Sequence, residues 1–460
     1  MKINRRQFLR GAAGASGAAL MGRATGWPGT GWLPQNLGLA SLPPPDESGI
    51  EHIVVVMMEN RSFDHFLGWL PNADGQQAGL SYMDAAGVAH ATHPLAPDFT
   101  GCDHPDPDHS YAGGRVQFNG GAMDGFLLSG ANDEYAIGFY VEPDRPFYNA
   151  LARNYTTLDR YFCSILAPTF PNRFFAHAAQ TDRLDNALVP TNLPTIWDRL
   201  AAADVSALYY FSNLPFLAFW GSKYNAISRF YPQFLADAAA GTLPAVSFVD
   251  PRFADFAPDG SGNDDHPPAD IRRGDAFLAE TFHAVAEGPL WASTVFIVAY
   301  DEWGGFFDHV APPRAAAPNN VDPDVVDGKA LLGFRVPAVV ASPFSRGEPD
   351  DPKVKGMPFD HTSILKLIEW RFGLDPLTAR DASRDVHNLA RALNFKHPKT
   401  EVPDLPRPDA PPPVPCTQPT AGVPLAPSRT SAEASGLADS RNPWPSLRNS
   451  GLLERWDLPQ

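Results

Sequence analysis

Residues 54–66 read VVVMMENRSFDHF, an apolar run that passes into polar residues without a spacer. A short, continuous, valine-rich run is the pattern of a strand buried on both faces, as in a parallel sheet. Glu59, Asn60, Arg61 and Ser62 then stand at the carboxyl end of that strand, where open α/β sheets place their ligands. The plain alternative is that Asn60 or Ser62 caps a following helix while Glu59 is solvated.

Working outward, further apolar or β-branched runs fall at 157–162, 207–211, 245–249, 294–300 and 336–342. Residues 53–58 form the first strand of that series, and helical spacing is found at 196–203, 271–287 and 362–372. Strands alternating with helices predict an α/β fold, a mostly parallel sheet covered on both faces. Residues 71–153 are rich in Gly, Asp and Pro and read as a loop-rich cap insertion within a body spanning 48–396. Residues 397–460 are Pro-rich and read as an extended tail. Its last piece carries Trp444 and Trp456, which suggests docking against the body.

The chain has 460 residues, is 44% hydrophobic and carries a net charge of −16, which argues against nucleic acid as its partner. A phosphorylated substrate is not excluded, because a metal ion reverses the local sign of an acidic pocket. Residues 1–40 begin MKINRRQFLRGAAGASG, with Arg5-Arg6 ahead of a mild Ala/Gly stretch, the pattern of a twin-arginine export signal. The expected partner is that export machinery, and the expected location is the periplasm or the medium. The stretch is too short and Gly-rich for a stable membrane span. With Cys102, Cys163 and Cys416 the chain allows one internal disulfide at most, and Cys102–Cys163 is one conceivable pairing.

Residues 293–310, STVFIVAYDEWGGFFDHV, repeat the opening pattern, a buried strand ending in Asp301-Glu302. Adjacent carboxylates repel unless a cation or proton lies between them. Together with Glu59 and Asn60 they make an oxygen-rich set suited to a divalent metal. Gly304-Gly305 permits close backbone approach or positive φ. Thr169 lies between Pro168 and Pro171, ahead of an aromatic helical segment from Arg173. Its hydroxyl is either an N-cap or a nucleophile deprotonated by metal coordination, with Asn172 and Arg173 orienting the site. His104, His109, His266, His309 and His361 each adjoin Asp at a loop edge. Any one is ordinarily structural; as a group they suggest phosphoryl contacts or proton transfer.

Five segments in order, IEHIVVVMMENRSFDHFLGWLP, APTFPNR, NDDHPPADIRRGDAF, YDEWGGFFDHVAPP and FDHTSILKLIEWRFG, resemble the bacterial phosphoesterase family of secreted phospholipases C and an acid phosphatase. That family lies within the alkaline phosphatase-like superfamily. The resemblance implies an α/β/α sandwich with a divalent metal, of unspecified identity, at the carboxyl edge of the sheet. It matches Glu59 and Asn60 to one half of a metal site and Asp301 and Glu302 to the other. Thr169 matches the hydroxyl nucleophile, which also touches the metal, and His109, His266 and His361 match catalytic histidines near the phosphate. Asn172, Arg173 and His309 are assigned to substrate, and His104 matches less well. Trp303 stands where many relatives have His or Asn, so no ligand is assigned there. The implied activity is hydrolysis of a phospholipid or a soluble phosphoester through a phosphothreonine intermediate. Aromatics in GGAMDGF and FYVEPDRPFY either hold acyl chains or choline or simply pack the insertion. The alternatives are a broad acid phosphomonoesterase and a non-catalytic binder of phosphate esters.

Overall fold

The computed structural model describes residues 41–416 together with 450–454, 456 and 458. The export signal and leader assigned to 1–40 lie outside the described residues, as does Trp444. The opening apolar run is strand β1 (His52–Met58), buried at every position after His52. The other strands of its sheet are β2 (Thr156–Thr157), β3 (Ala207–Phe211), β4 (Ser228–Phe230), β5 (Val246–Val249), β6 (Thr294–Tyr300), β7 (Ala338–Ala341) and β8 (Lys353–Val354). Their order across the eight-stranded sheet is β8-β2-β7-β6-β1-β5-β3-β4. From β6 to β4 all neighbours are parallel, while β7 runs antiparallel to both β6 and β2.

Register shows which helices cover which face. Val54 pairs with Phe296 and Val55 with Phe248, so these two pairs point to opposite sides of the sheet. The α-helices among the described residues are α1 (Phe63–Leu67), α2 (Tyr111–Phe118), α3 (Pro146–Asn154), α4 (Thr169–Ala178), α5 (Ile196–Ala202), α6 (Tyr231–Ala240), α7 (Ile271–Ala286), α8 (His361–Phe372) and α9 (Ala379–Ala382). Helix α7 brings Phe282 edge-on to Phe296 at 5.6 Å. On the other face, His177 of α4 (Thr169–Ala178) lies 4.9 Å and Trp197 of α5 (Ile196–Ala202) 5.4 Å from Phe248. The result is the expected α/β/α sandwich, and burial on both faces explains why β1 is continuously apolar.

Several boundaries differ from the sequence reading. The strand expected at 157–162 is paired only at Thr156–Thr157, and Tyr161 and Phe162 then make isolated bridges to Phe359 and Arg335. The short edge strands β4 and β8 carry no apolar run and were not anticipated. Helix α4 begins at Thr169 rather than Arg173, since Pro171 in a first turn forfeits only an amide that has no intrahelical partner. The 71–153 insertion contains a hairpin of Ser81–Met83 with Ala89–Ala91, and ends in a buried helix, Pro146–Asn154, packed on α7. Its aromatics pack inward: Phe126, Tyr140, Phe147 and Tyr148 are buried. No helix among the described residues is long and apolar enough to cross a membrane.

The cysteines also differ. Cys102 is bonded to Cys416, 314 residues away, whereas Cys163 is a buried free thiol packed on Gly333 and the Phe334 carbonyl. Residues 397–416 have no regular secondary structure yet lie on the body: the Trp291 indole donates to the Thr400 carbonyl at 3.0 Å, and Arg273 donates to that of Pro411. Trp456 donates to the Gly221 carbonyl at 3.1 Å.

Candidate active site

Two parallel neighbours, β1 and β6, deliver the acidic residues side by side. Asn60 sits at φ +55°, a left-handed turn that Asn tolerates better than most residues. Gly304 follows at φ +64°, and a Cβ there would meet the Asn60 carbonyl oxygen at 2.1 Å, so only glycine lets the two turns close on each other. The Asp301 carboxylate accepts from the Glu302 amide at 2.7 Å and the Asn60 amide at 3.4 Å. The Glu302 carboxylate accepts from the Gly304 amide at 2.7 Å. Glu59 is tied to the 250–266 loop through its amide, which donates to the Asp264 carbonyl at 2.9 Å.

Thr169 is the first residue of α4, and Pro168, not Thr169, is its N-cap, so the hydroxyl is not spent on capping. A helix N-terminus favours an anion beside it. One turn on, Arg173 occupies the same face and is 1% exposed. Its guanidinium reaches Asp301 at 2.9 Å, Asp250 at 2.9 Å and Glu59 at 3.2 Å, and its carbon lies 4.7 Å from the Phe253 ring centre. Arg173 therefore ties the carboxylates together, and it also lines the cleft beside Thr169, the side on which substrate contact is expected of it.

Asn172 is likewise occupied: its amide donates to the Ala167, Ile165 and Pro168 carbonyls, shaping the loop before Thr169. His361 opens helix α8 (His361–Phe372), is fully buried, and donates from Nε2 to the Asp301 carbonyl at 2.7 Å. Tyr161 stands 3.2 Å from its Nδ1. Burial pushes the imidazole down to about 4, so at neutral pH it is an uncharged prop behind Asp301. His309 belongs to another cluster, with Asp64 at 2.5 Å and Asp74 at 3.2 Å. There Arg335 already supplies the cation between Asp64 and Asp308, each 3.0 Å away. His104 stacks on Tyr135 and pairs with Asp133 at 2.8 Å.

His109 and His266 do meet, their rings edge to face at 5.8 Å. His109 Nδ1 donates to the Pro107 carbonyl at 2.8 Å, and Nε2 lies 3.4 Å from the Asn60 amide. Burial would lower its pKa, but the Glu302 and Asp106 carboxylates outweigh that and push it up to about 9. His266 is raised as well, against burial, by Asp106, Asp255 and Asp264.

Arg173 already stands between Glu59 and Asp301, so the oxygens of the expected metal set left open to a hard cation are those of Asn60 and Glu302. Asn60 Oδ1 and Glu302 Oε1 are buried oxygens without a hydrogen-bond partner among the described residues. Burial drives Glu302 up to about 8 and Asp264 to about 7, and raises Glu59 and Asp301 despite Arg173. Buried carboxyls raised in this way favour added positive charge, which a divalent ion supplies. Among the described residues, two groups of acids and histidines bring their ligand atoms within 4.8 Å of one another, Asp106–His109–His266 and Asp64–Asp308–His309; Glu59, Asp301 and Glu302 do not form such a group.

A cleft opens beside these groups, lined by Glu59, Thr169, Phe170, Phe216, Phe253 and Asp255. Sequence reading missed Asp250 and Asp264, although NDDHPPAD contains the second, and it missed Asp106, which was visible only as one acid among many.

A family model for the phosphoesterase family matches residues 50–375, and the chain belongs to that family. Among its relatives, phospholipase C A of Mycobacterium tuberculosis is 33% identical, over 88% of this chain and 88% of that one. Non-specific phospholipase C6 of Arabidopsis thaliana is 32% identical, over 73% and 71%. Among solved structures, the phosphonate monoester hydrolase of Agrobacterium radiobacter shares 11% identity with a TM-score of 0.36, over 76% of this chain and 78% of that one.

Proposed function

We propose that this chain is an exported, metal-dependent phosphodiester hydrolase of phospholipase C type, with Thr169 as its nucleophile. The observation that carries the reading is Thr169 at the head of α4, lining one cleft with Glu59 while Arg173, a turn away, ties Glu59 to Asp301. Glu59, Asn60, Asp301 and Glu302 would hold the metal beside Thr169. A divalent cation there lowers the pKa of a neighbouring hydroxyl and offsets phosphoryl charge.

The chain's own residues account for the rest. The Thr169 oxygen attacks phosphorus in line, the bond to the departing alcohol breaks, and the phosphoryl group is left esterified to Thr169. His109, set beside His266 at the site, would give a proton to the leaving alkoxide. His266, cross-set against it, steadies a phosphoryl oxygen. Water then attacks phosphorus, the Thr169 ester bond breaks, and the hydroxyl is restored. From a monoester the intermediate is phosphothreonine; from a diester it keeps the second substituent.

Support for a lipid or choline ester comes from relatives that carry the name phospholipase C and from the apolar side of the cleft, where Phe170, Leu214, Phe216, Phe253 and Phe256 gather. Support for export comes from Arg5-Arg6 and from a disulfide, which persists in oxidising compartments. The test compares phosphatidylcholine, a chromogenic phosphodiester and a chromogenic phosphomonoester, with wild type and Thr169→Val, in the presence of divalent metals. Turnover of diesters that disappears in Thr169→Val is expected. Preference for the monoester would make the protein a phosphomonoesterase, and no turnover of any ester would make it a binder.

A further inference from the structure

The segment after Lys396 crosses the body along a defined path. Leu405 is buried, Arg407 pairs with Glu287 just past the end of α7, and Arg273 near the start of α7 holds the Pro411 carbonyl. The strap therefore runs the length of α7 toward the site. It next passes over Gly260, where a Cβ would meet the Val414 carbonyl oxygen at 2.2 Å and the Pro415 nitrogen at 2.8 Å. It is then bonded through Cys416 to Cys102, with the Cα atoms 5.5 Å apart.

These last two contacts fall on the two loops that supply the paired histidines. Cys102 lies in the loop of Asp106 and His109, and Gly260 in the loop of Asp264 and His266. Both loops approach each other at the site, where Asp106 stands 3.8 Å from His266 Nε2. The Asp264 half has its own buried anchors, since Asp265 is gripped by Arg145 at 2.9 Å and by the Tyr300 hydroxyl at 2.5 Å. The 102–106 stretch is held more lightly: Asp103 and Asp106 are exposed, and its main ties are His104 on Asp133 and the disulfide.

We infer that the strap is a positioning element for the proposed phosphoryl transfer, its disulfide holding the Asp106–His109 loop against the His266 loop. The inference rests on the reading of the site given above, but its structural half stands without it. Cys102 and Cys416 are both partly exposed and within reach of a reductant, while the third thiol, Cys163, is fully buried. Dithiothreitol would pass two electrons and two protons to the bond, leaving two thiols and its own cyclic disulfide.

The test uses the full chain, oxidised and reduced, with Cys416→Ser and Arg407→Ala. Native thiol titration should find none in the oxidised protein and two after reduction. Hydrogen exchange should then rise in peptides covering 100–110 and stay unchanged in β1 and β6. On a chromogenic phosphodiester, kcat should fall about tenfold or more on reduction and in Cys416→Ser, recover in the wild type on reoxidation, and shift KM by less than about twofold. Arg407→Ala, which loosens the strap far from the site, should keep wild-type kcat. Unchanged exchange at 100–110, or full kcat with two titrated thiols, would overturn the inference. So would a loss of activity that tracks global unfolding by near-UV circular dichroism. An oxidised protein inactive on every ester would instead overturn the functional reading, with the exchange data still judging the clamp.

Discussion

Replacing Arg173 by Met keeps an unbranched stem in the same space and deletes the cation shared by Glu59, Asp250 and Asp301. All the partners are essentially buried, at 2.9–3.2 Å. Removing one member of a buried ion pair costs about 3–5 kcal/mol, since the remaining charge has no solvent to turn to. At roughly 2.1 cal/mol/K per residue, a body of this size should lose about 4–6 °C in Tm. Burial raises all three carboxyls in the native state, and Arg173 is the charge that opposes the rise. Without it their folded pKa values climb further above the unfolded ones. Carboxyls raised in this way cost nothing below their unfolded pKa and destabilise increasingly as pH rises. The Tm gap between wild type and Arg173→Met, measured by calorimetry on chelator-treated protein, should therefore be wide at pH 8 and narrow towards pH 4–5. A gap of under about 1 °C, or one of equal size at both ends, would refute the assignment of Arg173 as the carboxylate hub.

The same reasoning gives further tests. Gly304→Ala forces a Cβ into the Asn60 carbonyl at a positive φ, which should cost about 1–2 kcal/mol in backbone strain alone and at least tenfold in kcat. Denaturant unfolding and steady-state kinetics would show both. Glu369 is buried beside Asp381 and burial pushes it up to about 10, so the folded state keeps a proton that the unfolded state loses. Its stability contribution is lost as pH rises from the ordinary carboxyl range toward 10. Glu369→Gln should therefore raise Tm at pH 8–9 and barely change it at pH 4. His361→Asn should lower the unfolding free energy by about 1–3 kcal/mol through the lost Asp301 support, without moving the pH profile of kcat/KM, because His361 is uncharged near neutral pH.

The central strands were legible because β1 and β6 are buried on both faces and so read as unbroken apolar runs, one followed by Glu59-Asn60 and the other by Asp301-Glu302. The place of Thr169 at a helix entrance was legible from its prolines. Arg173 was visible beside Thr169, yet its role depends on Asp250 and Asp301 arriving from β5 and β6, which chain order does not reveal. The same holds for His361 and His309: each sits in a suggestive motif, and only packing shows one propping a backbone carbonyl and the other joined to Asp64. Helix α2 (Tyr111–Phe118) was hidden by Gly113 and Gly114, which depress helix propensity although α2 packs Gly114 against Leu166 and Trp303. The Cys102–Cys416 bond spans 314 residues, and no spacing rule reaches that far.

Thr169 is the residue proposed to carry the phosphoryl group. The most direct measurement is rapid acid quenching of the metal-loaded enzyme during turnover of a chromogenic phosphodiester, followed by peptide mapping by mass spectrometry. A phosphoryl adduct that keeps the diester's second substituent is expected on the peptide that contains Thr169, formed with a burst of released alcohol and lost on chase, and neither adduct nor turnover in Thr169→Val. Full turnover in Thr169→Val, or an adduct on any other residue, would contradict it.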